Sequence, residues 1–156
     1  MERKDLSVGE GPDRLAAVRA VFARDRFATG AAGVEIECAD PPAEGDKSGI
    51  ASRVVCSMAL GEKHRNAYGG VMGGAIFTLA DFVFAVASNA FSPELGTVAV
   101  SGSMRYLAAA KGEKLIATGR LLRAGRTTVF YDVDVADDTG RAVAEASFVG
   151  HRSPVR

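Results

Sequence analysis

The stretch that decides the fold is His64–Ala90, HRNAYGGVMGGAIFTLADFVFAVASNA, where four glycines lead into a long apolar run holding a single carboxylate, Asp81. From Val71 to Ala87 apolar side chains fall on every side of a helical wheel, with Thr78 and Asp81 as the polar interruptions. A helix that is apolar all round is either buried or membrane-spanning. An aspartate near its middle and polar residues just upstream argue against a span. A long central helix enclosed by other structure is therefore expected.

The flanking sequence supplies that enclosure. Upstream, Pro12 and Asp13 open a segment in which Leu15, Val18 and Phe22 recur at helical spacing, predicting a short amphipathic helix that ends near Thr29 and Gly30. The period then changes to two. Val34, Ile36 and Cys38 alternate with Glu35 and Glu37 before Pro41, Pro42 and Gly45 break the chain, and Ile50–Leu60 alternates again. Downstream come four more strand-like runs: Val98–Tyr106, Lys114–Arg123, Thr127–Ala136 and Ala142–Gly150. Ala124-Gly125 and Asp137–Gly140 read as the turns between the later ones. The order predicts an α+β fold, a curved antiparallel sheet wrapped around the long helix, with one edge or face left for a partner chain. The expected organisation is an N-terminal extension and short helix over 1–30 and a single domain over 31–156.

Bulk properties narrow the function. The 156 residues suffice for one domain with a proper core, and the formal net charge is zero with Lys and Arg scattered. Such a chain has no electrostatic footprint for nucleic acid or an anionic membrane, so a small molecule or a protein partner is expected. The first residues, MERKDLSVGEGPDR, lack a continuous apolar segment, and Cys38 and Cys56 are too few for a disulfide framework, which points to the cytoplasm. Two histidines, His64 and His151, beside those two cysteines fall short of a zinc ligand set, so no metal is expected.

Asp81 has two readings. It is either a helix residue whose carboxylate reaches water or an interface, or a carboxylate whose apolar setting raises its basicity for work as a general base or nucleophile. Gly69, Gly70, Gly73 and Gly74 also have two. They are turn and close-packing residues, or they bare the first helical amides to hold an oxyanion or phosphate. No GK[ST] follows them and the dinucleotide spacing is absent. Asp81 lies eight residues beyond Gly73, about 12 Å along a helix axis at about 1.5 Å per residue. One carbonyl cannot touch both. A shared site thus requires the glycine amide of one chain to face the aspartate of another across a two-fold axis.

Asn66, Gly69, Gly73-Gly74 and Leu79-Ala80-Asp81 together resemble the signature of the hotdog-fold acyl-CoA thioesterases of the phenylacetic-acid-degradation type, N-x-x-G-x-x-H-G-G followed by a helix bearing the acid. The likeness extends to TVAVSGSMRYLAAAKGEKL, GRTTVFYDVDV and GRAVAEASF, which are similar to that family's closing strands. The resemblance implies a hotdog fold and hydrolysis of an aryl- or fatty acyl-CoA, coenzyme A being part of the substrate and no separate cofactor being needed. It implies Asp81 as nucleophile or general base, the Gly73 amide as the group polarising the carbonyl, and Asn66 as the residue positioning water or carbonyl. It also implies a homodimer with composite sites, assembled into a homotetramer. One departure stands out: the family's histidine before the glycine pair is Met72 here. A thiolate leaving group, of pKa about 8.5, needs little acid help, so a carboxylate and an oxyanion donor suffice.

Other substrate-binding candidates are His64, two residues before Asn66, and Tyr68, Met72 and Gly74 around the glycine pair. Ser101 and Ser103, with Thr97, stand on the strand expected beside the helix; Arg123 and Arg126 flank a turn and suit phosphates. Two rivals remain. A hotdog enoyl-CoA hydratase needs a histidine paired with the acid, and a non-catalytic acyl-CoA binder needs the pocket but not Asp81.

Overall fold

The computed structural model describes residues 13–155. The expected extension up to Pro12 lies outside the described residues. The chain runs α1 (Asp13–Phe22), β1 (Val34–Asp40), β2 (Arg53–Ala59), α2 (Gly73–Asn89), β3 (Leu95–Tyr106), β4 (Lys114–Ala124), β5 (Thr128–Asp137) and β6 (Ala142–Pro154). All six strands join one antiparallel sheet in the order β1-β2-β4-β5-β6-β3, curled around α2. This is the hotdog architecture.

The sequence explains why α2 is the filling. Ile76, Leu79, Ala80, Phe82, Val83, Phe84, Val86 and Ala87 are all buried, covering most of the helix circumference. The strands meet it with alternating side chains; on β5, Val129, Tyr131, Val133 and Val135 point inward. Phe84 stacks on Phe148, with centroids 5.3 Å apart and planes 11° apart, and meets Tyr131 edge-on. Such ring pairs add roughly 0.5–1.5 kcal/mol each to area burial. Two strand glycines permit the approach. A Cβ on Gly119 would stand 2.4 Å from the Tyr131 ring, and one on Gly150 would stand 2.6 Å from Phe84.

Boundaries differ from the sequence reading for identifiable reasons. The first helix stops at Phe22, and Asp25 starts a separate π-helical turn (Arg26–Ala31) by accepting from the Phe27 and Ala28 amides at 3.0 and 2.8 Å. Asp25 is thus an N-cap where a continuous helix to Gly30 was expected. Ile50 and Ala51 lie outside β2 yet are fully buried, because the Ala51 amide donates to Ala87 O at 2.8 Å and fastens the strand entry to α2. β6 passes Gly150 to Pro154 because β3 begins at Leu95 and pairs with it from Pro154 back to Ala144.

Buried Asp137 organises the β4 and β6 entries. Its carboxylate accepts from the Thr139 hydroxyl and from the amides of Lys111, Gly112, Thr139 and Arg141. These donors, the Thr139 hydroxyl foremost, hold its pKa well below the usual carboxylate range. A carboxyl with a depressed folded-state pKa stabilises the fold above its unfolded pKa, near 3.8, and loses that contribution as pH falls through the folded value. Asp137→Asn is therefore expected to lower the melting temperature at neutral pH and to flatten the stability loss below about pH 4. Thermal melts of both proteins over that range check this; parallel curves would contradict it.

β1 and β3 form the sheet's edges. β3 carries Val98 and Val100, 64% and 61% exposed, on a twelve-residue strand whose second side pairs with no other strand among the described residues.

Candidate active site

The loop into α2 is built around His64 and Asn66. His64 is buried; its Nε2 donates to Ala32 O at 2.8 Å and its Nδ1 accepts from the Gly61 amide at 2.9 Å. Both ring nitrogens are thereby occupied in the neutral Nε2–H tautomer, which makes His64 a loop anchor with no nitrogen to spare for acid or base work. Its carbonyl takes the Met72 amide at 2.8 Å. Asn66 Oδ1 accepts from the amides of Tyr68 and Gly70, and its own amide donates to Gly70 O, folding 66–70 into a tight turn with Gly69 at φ +79°. That conformation favours glycine. The Asn66 Nδ2 donor has no partner among the described residues, and Tyr68 projects into solvent, 98% exposed.

Met72 is extended (φ −64°, ψ 131°) and ends the loop as the N-cap without a side-chain capping bond. Its carbonyl accepts from Ala75 and Ile76, whereas the Gly73 and Gly74 amides have no acceptor among the described residues. Two bare amides at the positive end of a long helix form a site for developing negative charge. Met72 and Gly74 also line an apolar groove of about 530 Å³ between α2 and the Arg26–Ala31 turn, with Phe27, Lys63, Ala75 and Thr78.

Asp81 is half-buried on the one stripe of α2 left open, Gly74, Thr78, Asp81 and Ala85. Among the described residues it has neither hydrogen bond nor ion pair. It lines a smaller cavity of about 240 Å³ with Asp25, Phe27, Thr78 and Phe82. Burial, and secondarily the Asp25 charge, raise its pKa above the ordinary carboxylate value. A more basic carboxylate without a partner is suited to taking a proton.

Within one chain the fold keeps the bare amides and Asp81 apart by about 12 Å of helix, as the rise of about 1.5 Å per residue requires. The remaining candidates lie elsewhere. Ser101 and Ser103 are exposed on β3, in register with Val149 and Ser147; Arg123 and Arg126 are exposed at the β4–β5 connection. None of the four lines either cavity beside α2. Thr97 is buried, its hydroxyl donating to Ser88 O at 3.2 Å, which makes it a tie between β3 and the end of α2. Asp25, Phe27 and Tyr106 reach the site without having been singled out in the sequence. A capping signal at Asp25 was legible, but its approach to Asp81 was not. No cluster of three or more His, Cys, Asp or Glu that could hold a metal occurs among the described residues. No helix among them is long and apolar enough to cross a membrane.

The hotdog fold thus carries a bare glycine amide pair at the start of its central helix and, among the described residues, an unpartnered acid further along it. The thioesterase superfamily sequence model matches residues 68–144. Human acyl-coenzyme A thioesterase 13 is 31% identical over 106 residues, covering 67% of this chain and 76% of that protein. The coenzyme A-bound hypothetical thioesterase of Streptococcus pneumoniae superposes with a TM-score of 0.71 at 28% identity, over 86% of this chain and 98% of that one. The PaaI protein of the E. coli phenylacetic acid degradation operon shares the fold, with a TM-score of 0.71 at 24% identity over 89% and 96%. The chain belongs to the thioesterase superfamily and is a thioester hydrolase.

Proposed function

We propose that the enzyme hydrolyses acyl-CoA esters in sites shared by two subunits. The observation that carries this is the half-buried, unpartnered Asp81 on the open stripe of α2, too far from the bare Gly73 amide of its own chain to serve one carbonyl with it. Two copies with their α2 stripes antiparallel bring each Asp81 to the partner's Gly73. The uncovered, apolar edge of β3 supports such a pairing. A dimer of these dimers, in the cytoplasm, completes the reading.

The chemistry follows from those groups. The thioester oxygen lies at the Gly73 N–H, and Asp81 from the partner takes a proton from water as the water oxygen bonds to the carbonyl carbon. Negative charge grows on the oxygen facing the amide, where a preorganised donor acts most strongly. Collapse breaks the C–S bond, and CoA leaves as a thiolate that picks up a proton; the products are the acid and CoA. The free Nδ2 of Asn66 is available to orient water or carbonyl, and Arg123 and Arg126 supply guanidinium groups for CoA phosphates. The groove beside Met72 and Phe27 suits an aryl or fatty acyl group. The names of the relatives, acyl-coenzyme A thioesterase 13 and a coenzyme A-bound thioesterase, support the CoA ester as substrate. The hydratase reading loses ground because His64 has both nitrogens engaged.

Thiol release measured over a panel of aryl and fatty acyl-CoA esters tests this. Turnover of at least one ester is expected. Tight binding of the esters with no thiol released from any of them would favour the non-catalytic binder.

A further inference from the structure

Tyr106 closes β3, thirty-three residues after Gly73 in sequence, and its backbone is held in register opposite Ala144 of β6. Its phenol donates to Gly73 O at 3.1 Å. The ring itself lies against the glycine: a Cβ on Gly73 would stand 2.9 Å from Oη and 3.0 Å from Cζ. Gly73 and Gly74 are the first two residues of α2, where backbone freedom is greatest, and Met72 contributes no side-chain cap. Something must hold this turn if its amides are to point in a set direction. The Tyr106 hydroxyl fastens the carbonyl of Gly73, and with it the peptide plane that carries the Gly74 N–H, while the ring lies against the Gly73 Cα.

Within the single chain Tyr106 is 55% exposed, so its ring fills no core space there. The contact instead couples the sheet to the glycine pair whose bare amides the proposed mechanism uses as oxyanion donors. A side chain at position 73 would have to displace that ring.

We infer that Tyr106 is a positioning residue for catalysis, holding the Gly73 carbonyl and Cα so that the bare amides of Gly73 and Gly74 keep their direction toward the thioester oxygen in the transition state; the inference rests on the thioesterase mechanism proposed above. Misplacing an oxyanion donor weakens the transition state more than substrate binding. The effect should therefore appear in kcat.

Tyr106→Phe keeps the ring and removes the hydroxyl; kcat is expected to fall about tenfold with KM and melting temperature nearly unchanged. Gly73→Ala keeps the N–H but forces its methyl into the ring, and is expected to lower kcat about a hundredfold. Two results overturn the role: a Tyr106→Phe kcat equal to wild type, or an effect confined to KM. A wild type that turns over no acyl-CoA removes the role together with the mechanism beneath it, whereas an active wild type matched by Tyr106→Phe overturns the role alone.

Discussion

Asp81→Asn is expected to lower kcat for thiol release by about a thousandfold, in line with removal of a general base, while leaving the fold intact. The side chain is half-buried and makes no hydrogen bond or ion pair among the described residues, so an isosteric amide breaks no structural contact. The stability sign runs the other way from that of Asp137. Burial raises the Asp81 pKa, so its ionised form is disfavoured in the folded state and the protein loses stability as pH rises through that pKa. The asparagine variant should accordingly melt at the same temperature as wild type, or higher, near neutral pH. The acid limb of the kcat/KM profile should lie above the ordinary carboxylate value of 3.8. Asp25→Asn, which keeps a capping side chain, should move that limb to lower pH by removing a nearby negative charge. Steady-state rates with a thiol-trapping reagent read all three. An Asp81→Asn enzyme within a few-fold of wild type would remove Asp81 from the mechanism.

The second large effect is recovery of activity by mixing two inactive proteins. Gly73→Pro removes the amide while keeping a residue tolerated in the first helical turn, and Met72, with ψ 131°, already has the backbone that precedes proline. The new ring presses on Tyr106, so the variant is dead through its missing donor and its displaced turn alike. In a heterodimer of Gly73→Pro and Asp81→Asn, one site carries both lesions and the other carries neither. Random reassociation makes half the dimers mixed, each with one intact site of two, so about a quarter of wild-type activity is expected. Subunits unfolded and refolded together should regain it, and subunits refolded apart should not. Recovery absent despite demonstrated subunit exchange, or a stable monomer by light scattering, would show that the sites are not shared.

The hotdog fold was legible because its two signals are local and strong. Apolar residues on every side of α2 leave burial as the only stable place for it, and strands with period-two alternation and tight turns close into an antiparallel sheet. Where boundaries moved, a tertiary contact decided. Asp25 caps a separate turn, and Ala51 is fixed by the Ala87 carbonyl rather than by a strand partner. The candidate site was legible in part for the same reason. Asp81 is visible as the one charge in an apolar helix, and the glycine pair as bare amides at its start. His64 reads as a loop histidine beside a motif; only the folded chain brings the Ala32 carbonyl, thirty-two residues away, to its Nε2.

By itself, the sequence determined a helix that must be wrapped, an acid eight residues from a glycine amide, and a helix rise that forbids both from meeting one carbonyl in one chain. These follow from periodicity and from fixed backbone dimensions, which need no knowledge of neighbours. Tertiary structure alone decided that Asp81 is half-buried and faces Asp25, that the nitrogens of His64 are taken, and that Tyr106 lies on Gly73. Such facts depend on which distant segments the curled sheet brings together, and desolvation, charge and hydrogen bonding act through those distances.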